Sequence, residues 1–297
     1  MAKEFILDRC LGLNNKTNPK RLIVGDGKYE LAQAINVNVT QDGAIERRRG
    51  AYKKLTGSFH SLFTYKNICY LVKDNVLSYM KEDFDVKDLV YVGNKKVSYV
   101  GVGDRIFFSN GDKNGYIEGL TYHPWDKGEY IGPTTTKKFY GPPIGHLLEI
   151  YNGFMLVAQG DVVWYSLPFN YSLFYYGGDY IPFSSRVRML RSVKDGIYVS
   201  TEEEILYLEG DNPKEFSLVK IADYPVVEGT DIVIDGRKLR GGEVLEKVII
   251  FCAQEGICIA GPKGVFENLT DRRLVCPKSG EGAGLCIDDR YVCTLRL

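Results

Sequence analysis

Leu147-Leu148-Glu149-Ile150-Tyr151-Asn152-Gly153-Phe154-Met155-Leu156-Val157-Ala158 is an apolar run, an Asn-Gly pair and a second apolar run. Asn-Gly between two such runs predicts a two-residue hairpin turn, because both turn positions need positive φ, which Asn and Gly reach at little steric cost. The same unit recurs along the chain. Residues 61–65 return through Lys66-Asn67 to 68–72, residues 98–102 through Gly103-Asp104 to 106–109, and residues 189–193 through Lys194-Asp195-Gly196 to 197–200. Residues 248–253 return through Glu255-Gly256 to 257–260, and residues 285–287 through Asp288-Asp289 to 291–295, which makes six instances. A third strand is expected at 76–80, 162–166, 205–208 and 265–269.

The residues that open the second strand of each pair are Ile68, Ile106, Phe154, Ile197, Ile257 and Tyr291, separated by 38, 48, 43, 60 and 34 positions. The mean, about 45, is the length of a four-stranded propeller blade. A sandwich of two sheets would use similar strands, but the steady return of one hairpin favours an all-β fold, a β-propeller of about six blades, with five as the alternative count. The 60-residue gap reads as an insertion, Glu228 to Gly242, with Asp235-Gly236 and Gly241-Gly242 turns.

The last unit stops soon after its second strand, and Ala34-Ile35-Asn36-Val37-Asn38-Val39, the turn Gln41-Asp42-Gly43 and residues 44–55 can supply its outer strands. Sharing one blade between both ends would close the ring without unpaired edges. The expected organisation is an extended N-terminal arm over 1–33, polar and aperiodic from Gly12 to Arg21, and a propeller over 34–297 closed by N-terminal strands.

Composition agrees with strands over helices: of 297 residues 32 are Gly and 21 Tyr, and Ala is scarce. Thirty-eight basic residues balance 38 acidic ones, which argues against a generic nucleic-acid or membrane-surface binder. No apolar run approaches the roughly 18 residues of a membrane-spanning helix, and Glu4, Asp8 and Arg9 interrupt any leader-like start. The seven cysteines are odd in number and scattered, a pattern expected of a reducing cell interior rather than of a disulfide framework.

Among candidate sites, Arg47-Arg48-Arg49 is the tight basic run; alternation puts Arg47 and Arg49 on one face, for a subunit contact, a charged protected edge or a passing contact with nucleic acid. Asn14, Asn15 and Arg21 in the arm, and Arg237 and Arg240 in the insertion, are the other candidate interface residues. His60, His123 and His146 lie in different units, and the pairs Cys252/Cys258 and Cys286/Cys293 have spacings unlike common zinc knuckles, so they read as small core residues and no metal is assigned. Asp104, Asp195 and Asp289 recur at equivalent turns, where Asp bonds nearby backbone; together with Asp161 they make a poor acid–base set. No phosphate loop, nucleophile elbow or Ser/His/Asp order stands out, so no catalytic or cofactor-binding residue is assigned and the chain is read as a non-enzyme. Trp164 to Tyr180 (WYSLPFNYSLFYYGGDY) could line a sugar site or an interface, or form a buried aromatic edge.

Gly12-Leu13-Asn14-Asn15, Asn18-Pro19, Arg21-Leu22, the 34–39 strand with Asp42-Gly43, and Arg47-Arg48-Arg49-Gly50 together resemble the opening of virion structural proteins of tailed bacteriophages. Pro142-Pro143 with Gly145-His146, residues 163–169, 183–187 and 195–199, and residues 256–262 through Asn268-Leu269-Thr270 are similar to the same group. The resemblance implies a propeller-type component of the tail or head-to-tail connection, akin to the nozzle proteins of short-tailed phages, although this chain is much smaller. It implies synthesis in the bacterial cytoplasm, a place in the virion tail, other tail or connector proteins as partners, and a homo-oligomeric ring, most naturally sixfold. The alternative class is a carbohydrate-active or carbohydrate-binding propeller using the Tyr-rich stretch.

Overall fold

The computed structural model describes residues 7–238, 246–287 and 290–296. Five antiparallel sheets follow one another along the chain. Blade 1 comprises Phe59–Tyr65, Ile68–Lys73, Val76–Met80 and Val86–Tyr91, and blade 2 comprises Ser98–Val102, Arg105–Ser109, Asn114–Glu118 and Thr121–His123. Blade 3 has Leu147–Tyr151, Phe154–Gln159, Val162–Leu167 and Asn170–Phe174, with Tyr180–Pro182 added against its third strand. Blade 4 has Met189–Val193, Gly196–Ser200, Ile205–Glu209 and Ser217–Ala222. Blade 5 has Ile232–Asp235, Lys247–Ala253, Gly256–Ala260 and Phe266–Asn268, and a terminal hairpin, Gly282–Ile287 with Arg290–Leu295, ends the series.

All six expected hairpins pair, and two of the turns have positive φ at both positions as stated: Asn152 and Gly153 have φ of 45° and 82°, and Lys66 and Asn67 have 47° and 63°. The Lys194-Asp195 turn closes its hairpin without positive φ. The first strands touch in succession from blade 1 to blade 4, Met189–Val193 touches Lys247–Ala253, and Ile232–Asp235 touches Gly282–Ile287. The chain is therefore an all-β propeller, five blades and a two-stranded sixth unit among the described residues.

The continuous apolar strands follow from burial on both faces, since alternation sends successive side chains to opposite neighbours. Met155 and Val157 enter a cluster with Val100, Phe107 and Trp125 of the blade 2 side, whereas Leu156 and Ala158 enter one with Leu190, Ile197 and Leu206 of blade 4. Two further clusters join blades 1 and 2, and blades 4 and 5. Serines stitch the same seams: Ser61 Oγ accepts from Val97 N at 2.8 Å, Ser98 Oγ from Leu148 N at 2.9 Å, and Ser200 Oγ from Val226 N at 3.0 Å.

Two expectations are corrected. Residues 248–253 do not open a blade; they fall in the second strand of blade 5, and its first strand, Ile232–Asp235, comes from the stretch read as an insertion. The terminal hairpin takes no strand from the N-terminal segment among the described residues. There, Arg9–Leu13 pairs in parallel with Lys28–Leu31, which pairs with Ile23–Gly25, and Val37–Val39 with Ile45–Arg47 makes a separate hairpin. The two ends meet elsewhere, on the connector after blade 5. Asn15 N donates to Arg273 O at 2.9 Å, Asn15 Nδ2 to Val275 O at 3.0 Å, and Val275 N to Asn15 Oδ1 at 2.7 Å.

Candidate functional site

The first strands bring three charged side chains together at the centre of the blades. Glu149 is the third residue of Leu147–Tyr151, Arg191 the third of Met189–Val193, and Asp231 immediately precedes Ile232–Asp235. Arg191 Nε donates to Asp231 Oδ2 at 2.6 Å, and its Nη1 lies 3.6 Å from Glu149 Oε2. Ser192 Oγ donates to Glu149 Oε1 at 3.1 Å, and Ile150 N reaches the same oxygen at 2.9 Å. Burial pushes the Glu149 carboxyl above the usual carboxylate range, opposed by the Arg191 charge and these donors. Burial by itself would lower the Arg191 guanidinium, but the Asp231 and Glu149 carboxylates override it and hold the side chain charged.

A second layer of ion pairs sits on the segments leading into those strands. Arg186 grips Glu228 with two bonds, of 2.6 and 3.3 Å. Lys96, which leads into blade 2, donates to Gly282 O at 2.7 Å and lies 3.6 Å from Glu281, so an early blade is tied directly to the terminal hairpin. His146 Nε2–H donates to Val187 O at 2.7 Å, and burial draws its pKa down, against that bond. The carboxylates around the centre are thus each committed to a cation, an arrangement that locks neighbouring first strands in register.

The candidate interface residues fall into two groups. Asn14 is buried, donating to Glu30 Oε2 at 2.6 Å and accepting from Lys16 N and Thr17 N. Asn15 is held by Val275, and Arg273 Nη1 donates to Leu11 O at 2.9 Å, so both asparagines fasten the arm to the body. Arg21, Arg47, Arg48 and Arg49 are exposed, with Arg48 Nε 3.3 Å from Asn38 Oδ1. Arg237 is clamped by the neighbouring Asp235 carboxylate. Arg240 lies outside the described residues. The Glu228–Gly242 stretch is not a mere projection, since Glu228 pairs with Arg186 and Ile232–Asp235 completes a blade.

Of the turn carboxylates, Asp104 pairs with Lys66 at 2.5 Å, and Asp195 accepts from Tyr207 Oη at 2.9 Å and from Lys263 N at 2.9 Å. Asp161 is exposed, and Asp289 lies outside the described residues. Cys252 and Cys258 are core residues, but Cys286 and Cys293 are half-buried. The Tyr-rich stretch forms an aromatic stack with the loop after blade 2: Tyr140 stacks on Tyr176 at 5.1 Å, Trp164 contacts Tyr176 and Tyr180, and Lys137 and Lys138 sit over Tyr175 and Tyr140. Beside it, Lys127, Tyr130, Thr135, Lys137 and Phe139 line a shallow depression.

The central Glu149–Arg191–Asp231 group was missed from the sequence. Its signal was faint: one charged residue at the third position of a mostly apolar first strand, in two of the six units.

No protein-family model and no curated protein matches the chain. Solved structures do. The extracellular domain of a one-component system from B. thetaiotaomicron matches with a TM-score of 0.50 at 9% identity, over 80% of this chain and 31% of that one. The chain thus spans under a third of that protein. The Neurospora crassa Pan2 WD40 domain matches with a TM-score of 0.45 at 11% identity, over 73% of this chain and 67% of that one. The N-terminal domain of Nup159 matches with a TM-score of 0.43 at 10% identity, over 80% and 72%. At such identities the likeness concerns the β-propeller fold alone. Among the described residues no helix is long and apolar enough to cross a membrane.

Proposed function

We propose that the chain is a structural β-propeller subunit of the tail or head-to-tail connection of a tailed bacteriophage, nozzle- or hub-like, acting by assembly and not by chemistry. The observation that carries the reading is the N-terminal segment. Ile23, Ile35 and Tyr52 there are 55%, 72% and 78% exposed, in the same segment as the exposed Arg47-Arg48-Arg49 run, on short strands and the irregular stretches between them, outside the blade clusters. Large apolar side chains held out next to a patterned charge edge suit a surface that neighbouring subunits cover. The resemblance of this same segment to virion proteins supplies the class of neighbour: copies of the chain in a ring, sixfold by the symmetry of tails, and adjoining tail or connector proteins. Arg47 and Arg49 would then set register between copies or touch passing DNA.

The test is incorporation. Arg47→Glu with Arg49→Glu should leave the melting temperature unchanged and exclude the protein from particles, read by mass spectrometry of purified virions. Normal incorporation of the double variant removes the arginine edge from the reading, and absence of the wild-type protein from virions ends it.

The Tyr140–Tyr176 stack with its lysines favours a second reading, a carbohydrate-binding propeller. Glycan-array binding that Tyr176→Ala abolishes would select it.

A further inference from the structure

Three cysteines far apart in sequence meet where the arm-bearing connector leaves blade 5. Cys252 is fully buried within Lys247–Ala253, Cys276 is half-buried on the connector, and Cys293 is half-buried in Arg290–Leu295. Cys252 Sγ lies 3.8 Å from Cys276 Sγ, and Cys293 lies near enough to interact electrostatically with Cys252. A disulfide holds its sulfurs about 2.05 Å apart, so closure requires roughly 1.8 Å of approach. Cys276 can supply it, because its segment belongs to no strand and a side-chain rotation there breaks no ladder.

The three thiols are also chemically unequal. Hydrogen bonding to Cys276 and Cys293, reinforced by burial, pushes the Cys252 thiol up. The Cys252 hydrogen bond draws Cys276 down, with the Lys16 charge assisting, and the same kind of bond brings Cys293 to about 7. The reactive form of a cysteine is the thiolate, and accessibility sets which thiolate meets a reagent first.

We propose that Cys276 and Cys252 are an oxidation site that forms an intramolecular disulfide when the chain meets a small disulfide oxidant of the oxidised-glutathione class. The Cys276 thiolate attacks one sulfur of the oxidant, forming a mixed disulfide and expelling one thiolate. Cys252 gives its proton to that thiolate and attacks the Cys276 sulfur, closing the Cys252–Cys276 bond and releasing the second half of the oxidant as thiolate, which takes its proton from water. Two protein thiols are oxidised by two electrons, and one oxidant molecule becomes two thiols. The bond staples the connector to the centre of blade 5. Because residues 271–275 of that connector hold Asn15, Lys16 and Leu11, the staple also secures the arm. The proposal is independent of the assembly reading.

The experiment uses the full chain with oxidised glutathione, then thiol titration in denaturant and peptide mapping. The expected result is a fall from seven free thiols to five, a peptide linking residues 252 and 276, and a melting temperature raised by about 5 °C that dithiothreitol reverses. Cys276→Ser should abolish the cross-link and Cys293→Ser should leave it. Retention of all seven thiols, a stable glutathione adduct without a cross-link, links between chains, or a 252–293 link in the wild type overturns the proposal. The wild-type titration and map decide the matter even if a variant fails to fold.

Discussion

Replacing Arg191 by Met keeps most of the volume of the side chain and removes the cation that Glu149 and Asp231 share. Glu149 and Asp231 have side chains only 11% and 7% exposed, so neither carboxylate recovers full hydration. Removing one partner of a buried ion pair costs about 3–5 kcal/mol, mostly through the charge left behind. For a domain of this size roughly 2 °C of melting temperature is lost per kcal/mol, so the variant should melt roughly 6–10 °C below the wild type. The sign of the pH response follows from Glu149, whose folded pKa is raised above its ordinary 4.5. The folded state therefore binds that proton more tightly than the unfolded state, and its stability contribution improves as pH falls through the raised value. Without Arg191 the raising increases, so the deficit of the variant should shrink between pH 7 and pH 5. Adding Glu149→Gln and Asp231→Asn should restore much of the loss at pH 7, since neutral amides need no counter-charge. Calorimetry on the three proteins at both pH values measures all of this. A loss below about 1 kcal/mol, or one independent of pH and unrelieved by the amides, would refute the account of the centre as a locked ion-pair cluster.

Ser98→Ala leaves the buried Leu148 N–H without its 2.9 Å acceptor and should cost about 1–3 kcal/mol, read from urea midpoints at unchanged m-value. Gly145→Ala places a Cβ 2.3 Å from the Ala158 carbonyl oxygen, a backbone atom that cannot rotate aside, and should destabilise by about 1–3 kcal/mol or more in the same assay. Asn15→Ala removes both side-chain bonds to Val275; hydrogen exchange should quicken over residues 271–276 while blade 3 stays protected, and unchanged exchange there would show that the arm is held by other contacts.

The hairpins were legible because each is specified locally: a short polar or Gly-containing turn flanked by largely apolar runs. Asn152-Gly153 carries that information within four residues, and the partner blades matter little to it. The first strand of blade 5 was not legible for the opposite reason. Ile232–Asp235 is separated from its partner Lys247–Ala253 by more than a turn's length, so no short-range signal marks the pair. With that strand unread, the strong hairpin 248–260 was aligned one strand out of phase with the other units, and Glu228 to Gly242 became an apparent insertion. The same displacement hid the central cluster, because Asp231 enters the blade on the misread strand while Glu149 and Arg191 stand on correctly placed ones.

Closure of the two ends shows how a sound physical demand can be met by unforeseen residues. An unfinished last unit and a strand-rich N-terminus favour a shared ladder on edge grounds. The N-terminal strands instead satisfy one another, Arg9–Leu13 lying parallel to Lys28–Leu31, and the chain ends are joined by side chains whose pairing a sequence pattern does not encode. Asn15 reaches Val275, and Arg273 reaches Leu11 and Glu30, while Lys96 before blade 2 ties the terminal hairpin through Gly282 and Glu281. Polar fastening of this kind, on half-exposed surface, is weaker per contact than a ladder buried between blades. The seam between the arm and the connector is therefore expected to open more easily than the ladders buried between blades.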